Sequence, residues 1–236
     1  MSIREELISQ ADAAKKAARK LAKAGTNEKN KALNLIADKL LERQDEILEI
    51  NEKDMQKGRD NGLSRALLDR LKLTDARIEG MAQGLREVAA QEDPIGEVPE
   101  MWKRPNGLQI GKIRVPLGVI GIIYEARPNV TVDVAGLCLK SGNTVILRGG
   151  SNAFNSNQIL TNIIQDGLQE AGLPKEAVQL ISTTDRKAVD ILFTLNDYLD
   201  VLIPRGGAGL IQKVVNESKV PVIETGVGNC HVYVNK

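Results

Sequence analysis

Of 236 residues only two are cysteines (Cys138 and Cys230), one is a histidine (His231) and 3% are aromatic. Each scarcity removes a class of function. Two cysteines build no disulfide framework and suit a reducing compartment. A single histidine rules out a His cluster around a metal, and two cysteines with one histidine do not complete a zinc site by themselves, so no metal site is expected. So few rings leave no stacking platform for single-stranded nucleic acid. Nor does either charge dominate: 32 Lys and Arg stand against 31 Asp and Glu, which offers a polyanion nothing to hold. No nucleic-acid partner is expected. No stretch approaches the ~20 apolar residues of a membrane span, and the start MSIREELISQ has acids where a secretory leader has a basic region and an apolar run. These features predict a soluble, cytoplasmic chain without membrane attachment, long enough to bury a substantial core.

What is present is unevenly spread. The first 100 residues carry 38 charged side chains and six of the 21 glycines, whereas the remaining 136 carry 25 charges and fifteen glycines. The charged part has a helical period. Ala32, Ile36 and Leu40, flanked by Leu33, Ala37 and Leu41, form one stripe after an N-cap expected at Thr26 or Asn27. Ile78, Met81, Leu85 and Val88 form another after Thr74 as N-cap. Gly25, the Gly58–Gly62 region and Pro94–Pro99 punctuate the helices, and Glu42, Arg43, Asp45 and Glu46 read as a solvated face.

Residues 102–116 (WKRPNGLQIGKIRVP) hold Asn106-Gly107, a hairpin signal between two extended runs. Strands are then predicted over 118–124, 144–148, 178–181, 198–203, 220–223 and 231–234. Helices are predicted between them over 130–140, 155–171, 186–195 and 209–215. Alternating β and α with nearly continuous apolar strands means a doubly wound, mostly parallel α/β sheet with helices on both faces. In such sheets ligands bind at the carboxyl ends of the strands.

Three loops at those ends have unusual chemistry. In EARPNV, Pro128 cannot sit mid-strand and Asn129 places an amide before a helix. The second loop is Arg148-Gly149-Gly150-Ser151, and the third is Pro204-Arg205-Gly206-Gly207-Ala208-Gly209. The last two are Gly-rich turns at helix N-termini, where free N–H groups and the helix dipole favour a phosphate, and glycine permits close approach and φ > 0. Their plainer reading is as tight turns only. No dinucleotide fingerprint is completed, because position 212 is Gln. An NAD site commonly has an acid near the end of its second strand, for the ribose 2′-OH. Here Arg148 and Ser151 stand there instead and suit a 2′-phosphate, so NADP is the expected nicotinamide cofactor.

The tail ETGVGNCHVYVNK gathers a carboxylate, a thiol and the lone histidine. Adjacent strand residues point to opposite faces, so Cys230 and His231 make a poor dyad. Cys230 reads as core, as does Cys138 within an apolar helix. Glu224 differs, opening a glycine turn at a strand's carboxyl end.

Together, VPLGVIGIIYEARPNVTVDVAGLCLKSGNTVILRGGSNAFNSN, DVLIPRGGAGLI and PVIETGVGNCHVYV resemble the aldehyde dehydrogenase superfamily, and within it the members that reduce an acyl phosphate. The match runs from about residue 5 to the end. The resemblance implies helices 1–100 as part of a cofactor-binding domain, a hairpin arm 101–117 serving homo-oligomerisation, and a Rossmann-like NADP-binding core 118–236. It implies NADPH-dependent reduction of L-glutamyl 5-phosphate to the semialdehyde with phosphate release, in proline biosynthesis, and glutamate 5-kinase as a partner. Arg148, Gly149, Gly150 and Ser151 fall at the adenosine-ribose loop. Arg205, Gly206, Gly207 and Gly209 fall at the turn that places the cofactor's phosphates. Asn129 is the oxyanion candidate, and Glu224 takes the place of a general base or nicotinamide-side glutamate. The thioester-forming cysteine of these proteins comes from a later segment, so the resemblance makes this chain an N-terminal portion, inactive by itself, and removes Cys230 as nucleophile. Two alternatives stay open: a nucleotide-binding or assembly module without catalysis, and an enzyme that does use Cys230. The reductase half of a bifunctional pyrroline-carboxylate synthase is disfavoured, because no kinase-like stretch precedes MSIREELISQ.

Overall fold

A computed structural model of the protein describes residues 2–224 and 231–234. The charged part forms five helices: α1 (Ile3–Leu21), α2 (Thr26–Glu42), α3 (Gln44–Asp60), α4 (Arg65–Leu71) and α5 (Asp75–Ala90). Ser2 caps α1 in a reciprocal box with Glu5. Thr74 caps α5 as predicted, its hydroxyl accepting the Arg77 N–H at 3.3 Å. In α2 the cap is Gly25, one residue before Thr26 and two before Asn27. Glu28 reaches back to accept the Gly25 N–H at 2.7 Å, which makes Thr26 the first helical residue and frees its hydroxyl to donate to Asp93. Gly58 does not break α3. It lies inside the helix at a close crossing, where an added Cβ would come within 3.0 Å of Leu63 and 3.1 Å of Leu68. The break comes at Gly62, with φ +70.

The predicted hairpin joins β1 (Glu100–Lys103) to β2 (Gln109–Lys112), with Trp102 opposite Ile110 and Gly107 turning at φ +87. Beyond it lie β3 (Val119–Tyr124), α6 (Pro128–Lys140), β4 (Thr144–Arg148), α7 (Phe154–Glu170), β5 (Val178–Leu180), α8 (Lys187–Leu192), β6 (Val201–Arg205) and α9 (Ala208–Glu217). The four strands are parallel in the order β5-β4-β3-β6. Alternation divides their side chains between two cores. Ile120, Ile122, Tyr124, Val145 and Leu147 pack with α2, α5, α6 and α7. Val119, Ile123, Ile146 and Leu202 pack on the other face with α1, α8 and Val214 of α9. The sheet is therefore covered on both faces, and the N-terminal helices share its cores. Truncating Ile146, 1% exposed, to Ala would cost about 2–5 kcal/mol.

Several predicted boundaries shift. The strand expected over 198–203 runs from Val201 to Arg205 and contains Pro204. Leu202 directs its N–H to Pro221 and its carbonyl to Ile223, away from β3. Two residues on, Pro204 presents its missing N–H to that same outer edge, where proline is tolerated. The helix expected over 186–195 is only Lys187–Leu192, and the strand expected over 220–223 reduces to one bridge, Leu202 with Val222. Residues 231–234, expected as a strand, are exposed and pair with no strand among the described residues. Among the described residues no helix is long and apolar enough to cross a membrane.

The chain steps outward from β3 through β4 to β5, then crosses back to the far side of β3 for β6. That reversal puts a topological switch point between the carboxyl ends of β3 and β6, where open α/β sheets bind ligands.

Candidate functional site

The strand ends are level. Ile123 lies opposite both Arg148 and Pro204, and Tyr124 opposite Arg205. The three connections therefore leave the sheet side by side. Residues Glu125 and Ala126, after β3, form the floor between the two Gly-rich loops. Glu125 donates its N–H to the Arg205 carbonyl at 3.2 Å, and its Oε1 accepts the Gly207 N–H at 2.9 Å. On the other side, a Cβ on Gly150 would stand 2.9 Å from the Ala126 nitrogen. The Arg148 and Gly206 turns thus meet through the loop of β3.

The glycines are needed there for closeness. Positive φ was expected to be part of their use, but among the described residues none of Gly149, Gly150, Gly206, Gly207 or Gly209 has it. Instead, a Cβ on Gly149 would run 2.1 Å from Asn157 Nδ2, and one on Gly206 would press Leu210 and Glu125 at 3.0 and 3.2 Å. Gly209 differs: it sits in the first turn of α9 with nothing within 4 Å of a Cβ.

Beneath the loops lies a buried polar network. The Tyr124 hydroxyl is 2.7 Å from Thr131 Oγ1, which donates to Asn157 Oδ1 at 3.1 Å. Burial pushes the Tyr124 phenol well above its usual pKa. Asp54, 1% exposed, accepts from Ser156 N–H at 2.8 Å, Ser156 Oγ at 2.7 Å and Asn155 Nδ2 at 2.8 Å. Asn51 links the same Ser156 to the Leu71 carbonyl and the Leu73 N–H. These bonds pin the start of α7, and so the Arg148–Ser151 loop, to α3 and α4.

The Arg148 guanidinium donates to the carbonyls of Gly149 (2.9 Å) and Thr184 (3.1 Å). Burial lowers its pKa, and the nearby Arg186 lowers it further. Neither arginine has a carboxylate partner among the described residues. Ser151 is exposed and begins a 3-10 turn, Ser151–Ala153. Gly207 is the N-cap of α9, with Glu125 on its N–H where an anion would sit. Asn129 is the second residue of α6, after Pro128, and its amide donates to Asp133 Oδ2 at 3.1 Å. Glu224 is exposed two residues past the Val222 bridge, level with Pro204 at the same end of the sheet. Cys138 is buried and its thiol is pushed up to about 12 by desolvation, which makes it inert. Cys230 lies outside the described residues, and His231 is exposed.

Two clefts open at the strand ends. One, of about 370 Å³, is the switch-point crevice, lined by Arg70, Glu125, Arg127, Arg205, Gly206 and Gly207. Its neighbour, of about 410 Å³, lies between α4, α5 and the start of α6, and is lined among others by Arg70, Lys72, Arg77, Arg127, Asn129 and Asp133. Arg70 and Arg127 border both. Among the described residues, only Arg77 of these cations is engaged: it donates to Asp69 Oδ1 at 3.1 Å and to the carbonyls of Asp69 and Lys72. Arg70, Lys72 and Arg127 make no ion pair among the described residues. Sequence reasoning missed these groups. Arg127 stood in EARPNV, which was read for its proline and amide alone. Arg70, Lys72 and Arg77 stood in a charged helical stretch that resembled any solvated face. A site rich in unpaired cations beside Gly-rich turns can hold phosphorylated anions.

The aldehyde dehydrogenase family model matches residues 2–219. The chain is 67% identical to gamma-glutamyl phosphate reductase of Halothermothrix orenii over 235 residues, covering 100% of this chain and 56% of that protein. The enzyme of the same name from Moorella thermoacetica is 64% identical, again with 56% covered. The chain thus spans about half the length of the curated relatives it matches. Among solved structures, gamma-glutamyl phosphate reductase of Thermotoga maritima matches 96% of this chain with a TM-score of 0.93 at 50% identity, over 55% of its own length. A probable aldehyde dehydrogenase from Listeria monocytogenes, 18% identical with a TM-score of 0.75, shares the fold.

Proposed function

The chain belongs to the aldehyde dehydrogenase family, and from that premise we propose that it supplies the dinucleotide-binding part of an enzyme reducing L-glutamyl 5-phosphate to L-glutamate 5-semialdehyde in proline biosynthesis. The names borne by its relatives support the reaction. The meeting of three strand ends around Glu125 and Ala126, at the switch point, is the observation that carries the binding role.

The residues there fit NADP. The two Gly-rich turns are drawn together against the loop after β3 at Ala126 and Glu125, and Arg148 and Arg186 stand near one another with no ion-paired carboxylate among the described residues. In this reading Arg148, with Gly149, Gly150 and Ser151, holds the 2′-phosphorylated ribose. Arg205, Gly206, Gly207 and Gly209 hold the phosphates, and Glu125 must leave the Gly207 N–H for them to bind. The dinucleotide supplies a hydride when bound. Asn129 turns its amide from Asp133 towards the oxyanion of the reacting carbonyl, and Glu224 faces the nicotinamide side. The sulfur nucleophile is assigned to the part of the relatives that this chain does not span, because Cys138 is buried with its pKa at about 12. Residues 1–100 buttress the binding core of 118–236. The 101–117 arm, with Met101 67%, Leu108 57% and Ile113 60% exposed, pairs subunits of a homo-oligomer. The cytoplasm is its compartment, and glutamate 5-kinase, which makes the labile acyl phosphate, its functional partner.

The test is to supply this chain with NADP, phosphate and L-glutamate 5-semialdehyde and follow NADPH formation. It is expected to bind the dinucleotide without turning over. Turnover by the chain alone would overturn the assignment of the nucleophile elsewhere.

A further inference from the structure

The 410 Å³ cleft is polarised along its length. At one end it shares Arg70 and Arg127 with the switch-point crevice. At the other it shares Asp133 with a smaller hollow against Gly84, Val88 and Leu137. Asn129 and Asp133 are four residues apart on α6 and follow one another down the same wall. The crevice end therefore carries two guanidiniums without an ion pair among the described residues, and the far end carries the Asp133 carboxylate; the other carboxylate of the lining, Asp69, is paired with Arg77. Arg77 contributes structure more than charge, being paired with Asp69 and tied to two carbonyls. That leaves Lys72 as the remaining cation of the lining without an ion pair among the described residues. Among the described residues Asp133 has a single polar partner, the Asn129 amide. Desolvation raises its pKa and the Asn129 bond opposes this, and the side chain is open to solvent at the mouth of the cleft, where a cation can reach it.

A complementary ligand has a strong anion at one end and an ammonium a few carbons away. We propose that this cleft receives the amino-acid end of an amino-acyl phosphate: Asp133 takes the α-ammonium, Lys72 the α-carboxylate, and Arg70 with Arg127 the acyl phosphate. The inference rests on the functional reading above and adds the residues that choose the substrate. It orients the reacting carbonyl to the junction of cleft and crevice, where the dinucleotide's reactive end would lie. It also makes Asp133 the specificity determinant, because an acyl phosphate without the ammonium forgoes the ion pair with that carboxylate.

The test uses the isostere of L-glutamyl 5-phosphate in which a methylene replaces the bridging ester oxygen, and the same molecule without its amino group. Both are titrated calorimetrically into the chain with NADPH present. The native chain should prefer the amino form by about tenfold or more. Asp133→Asn, at an exposed position that does not endanger folding, should abolish that preference and leave the des-amino form's affinity unchanged. Arg127→Gln should weaken both forms about tenfold. Retention of the preference in Asp133→Asn overturns the inference, and so does failure of both isosteres to bind a chain that binds NADPH. Failure to bind NADPH is a different result: it removes the functional reading, and this inference with it.

Discussion

The floor under the strand ends and the clefts above it are built from similar residues put to opposite uses. In the floor, Asp54, Asn51, Ser156, Tyr124, Thr131 and Asn157 are buried and bonded to one another or to backbone. In the clefts a few residues away, Arg70, Lys72 and Arg127 have no ion pair among the described residues. An isolated buried charge is costly, so the floor must be complete in the protein alone. Charges at the rim stay solvated and can be left for a ligand. Polar residues of the first kind hold the site in place; those of the second kind are what it offers.

This contrast can be broken from either side. The largest effect is expected from Asp54→Ala, which strands the Ser156 N–H and hydroxyl and the Asn155 amide. Unfolding in urea should show a loss of about 3 kcal/mol, and a loss below 1 kcal/mol would mean that Asp54 does not anchor α7. Gly150→Ala drives a Cβ to 2.9 Å from backbone, which cannot swing aside as a side-chain end can. It should cost about 2 kcal/mol and weaken NADPH binding about tenfold, readable in one denaturation series and one titration. The buried thiol gives a pH signature. Cys138 keeps its proton to about pH 12, whereas an unfolded cysteine loses it near 8.5. The unfolded state therefore binds fewer protons between those values, and stability falls there as pH rises, by about 1.4 kcal/mol per unit, with Tyr124 adding to the slope above about 10. The slope between pH 9 and 10 should be much smaller in Cys138→Ala. Gly209→Ala should stabilise α9 by up to about 1 kcal/mol, since its Cβ meets nothing. Arg70→Ala sharpens the comparison most: its stability should stay within about 0.5 kcal/mol of the native chain while phosphate-bearing ligands are lost.

The sheet was legible because its strands are short apolar runs between turn residues, and Thr144–Arg148 matched to the residue. Thr74 as a cap and Asn106-Gly107 as a turn were legible because their chemistry is local. The cap of α2 was misplaced because Glu28, three residues on, decides it. Strand β6 shifted because whether Pro204 is tolerated depends on which edge its nitrogen faces, a property of the assembled sheet. The Gly-rich loops were legible as turns that need glycine, and of the two expected reasons close approach holds while positive φ does not: crowding by Asn157, eight residues on, and by Ala126 and Glu125 of the loop after β3 is what requires glycine. The cleft cations had no local mark at all. Arg70 and Arg127 are 57 positions apart and become one feature only when α4 is laid against the loop after β3.

The account depends most on a phosphorylated dinucleotide lying across the ends of β4, β3 and β6. Titrating the chain with NADPH and with NADH, followed by fluorescence of the reduced nicotinamide, tests it directly. NADPH should bind at least about tenfold more tightly, with the difference removed by Arg148→Ala. Equal affinities, or a preference for NADPH that survives that substitution, would contradict it.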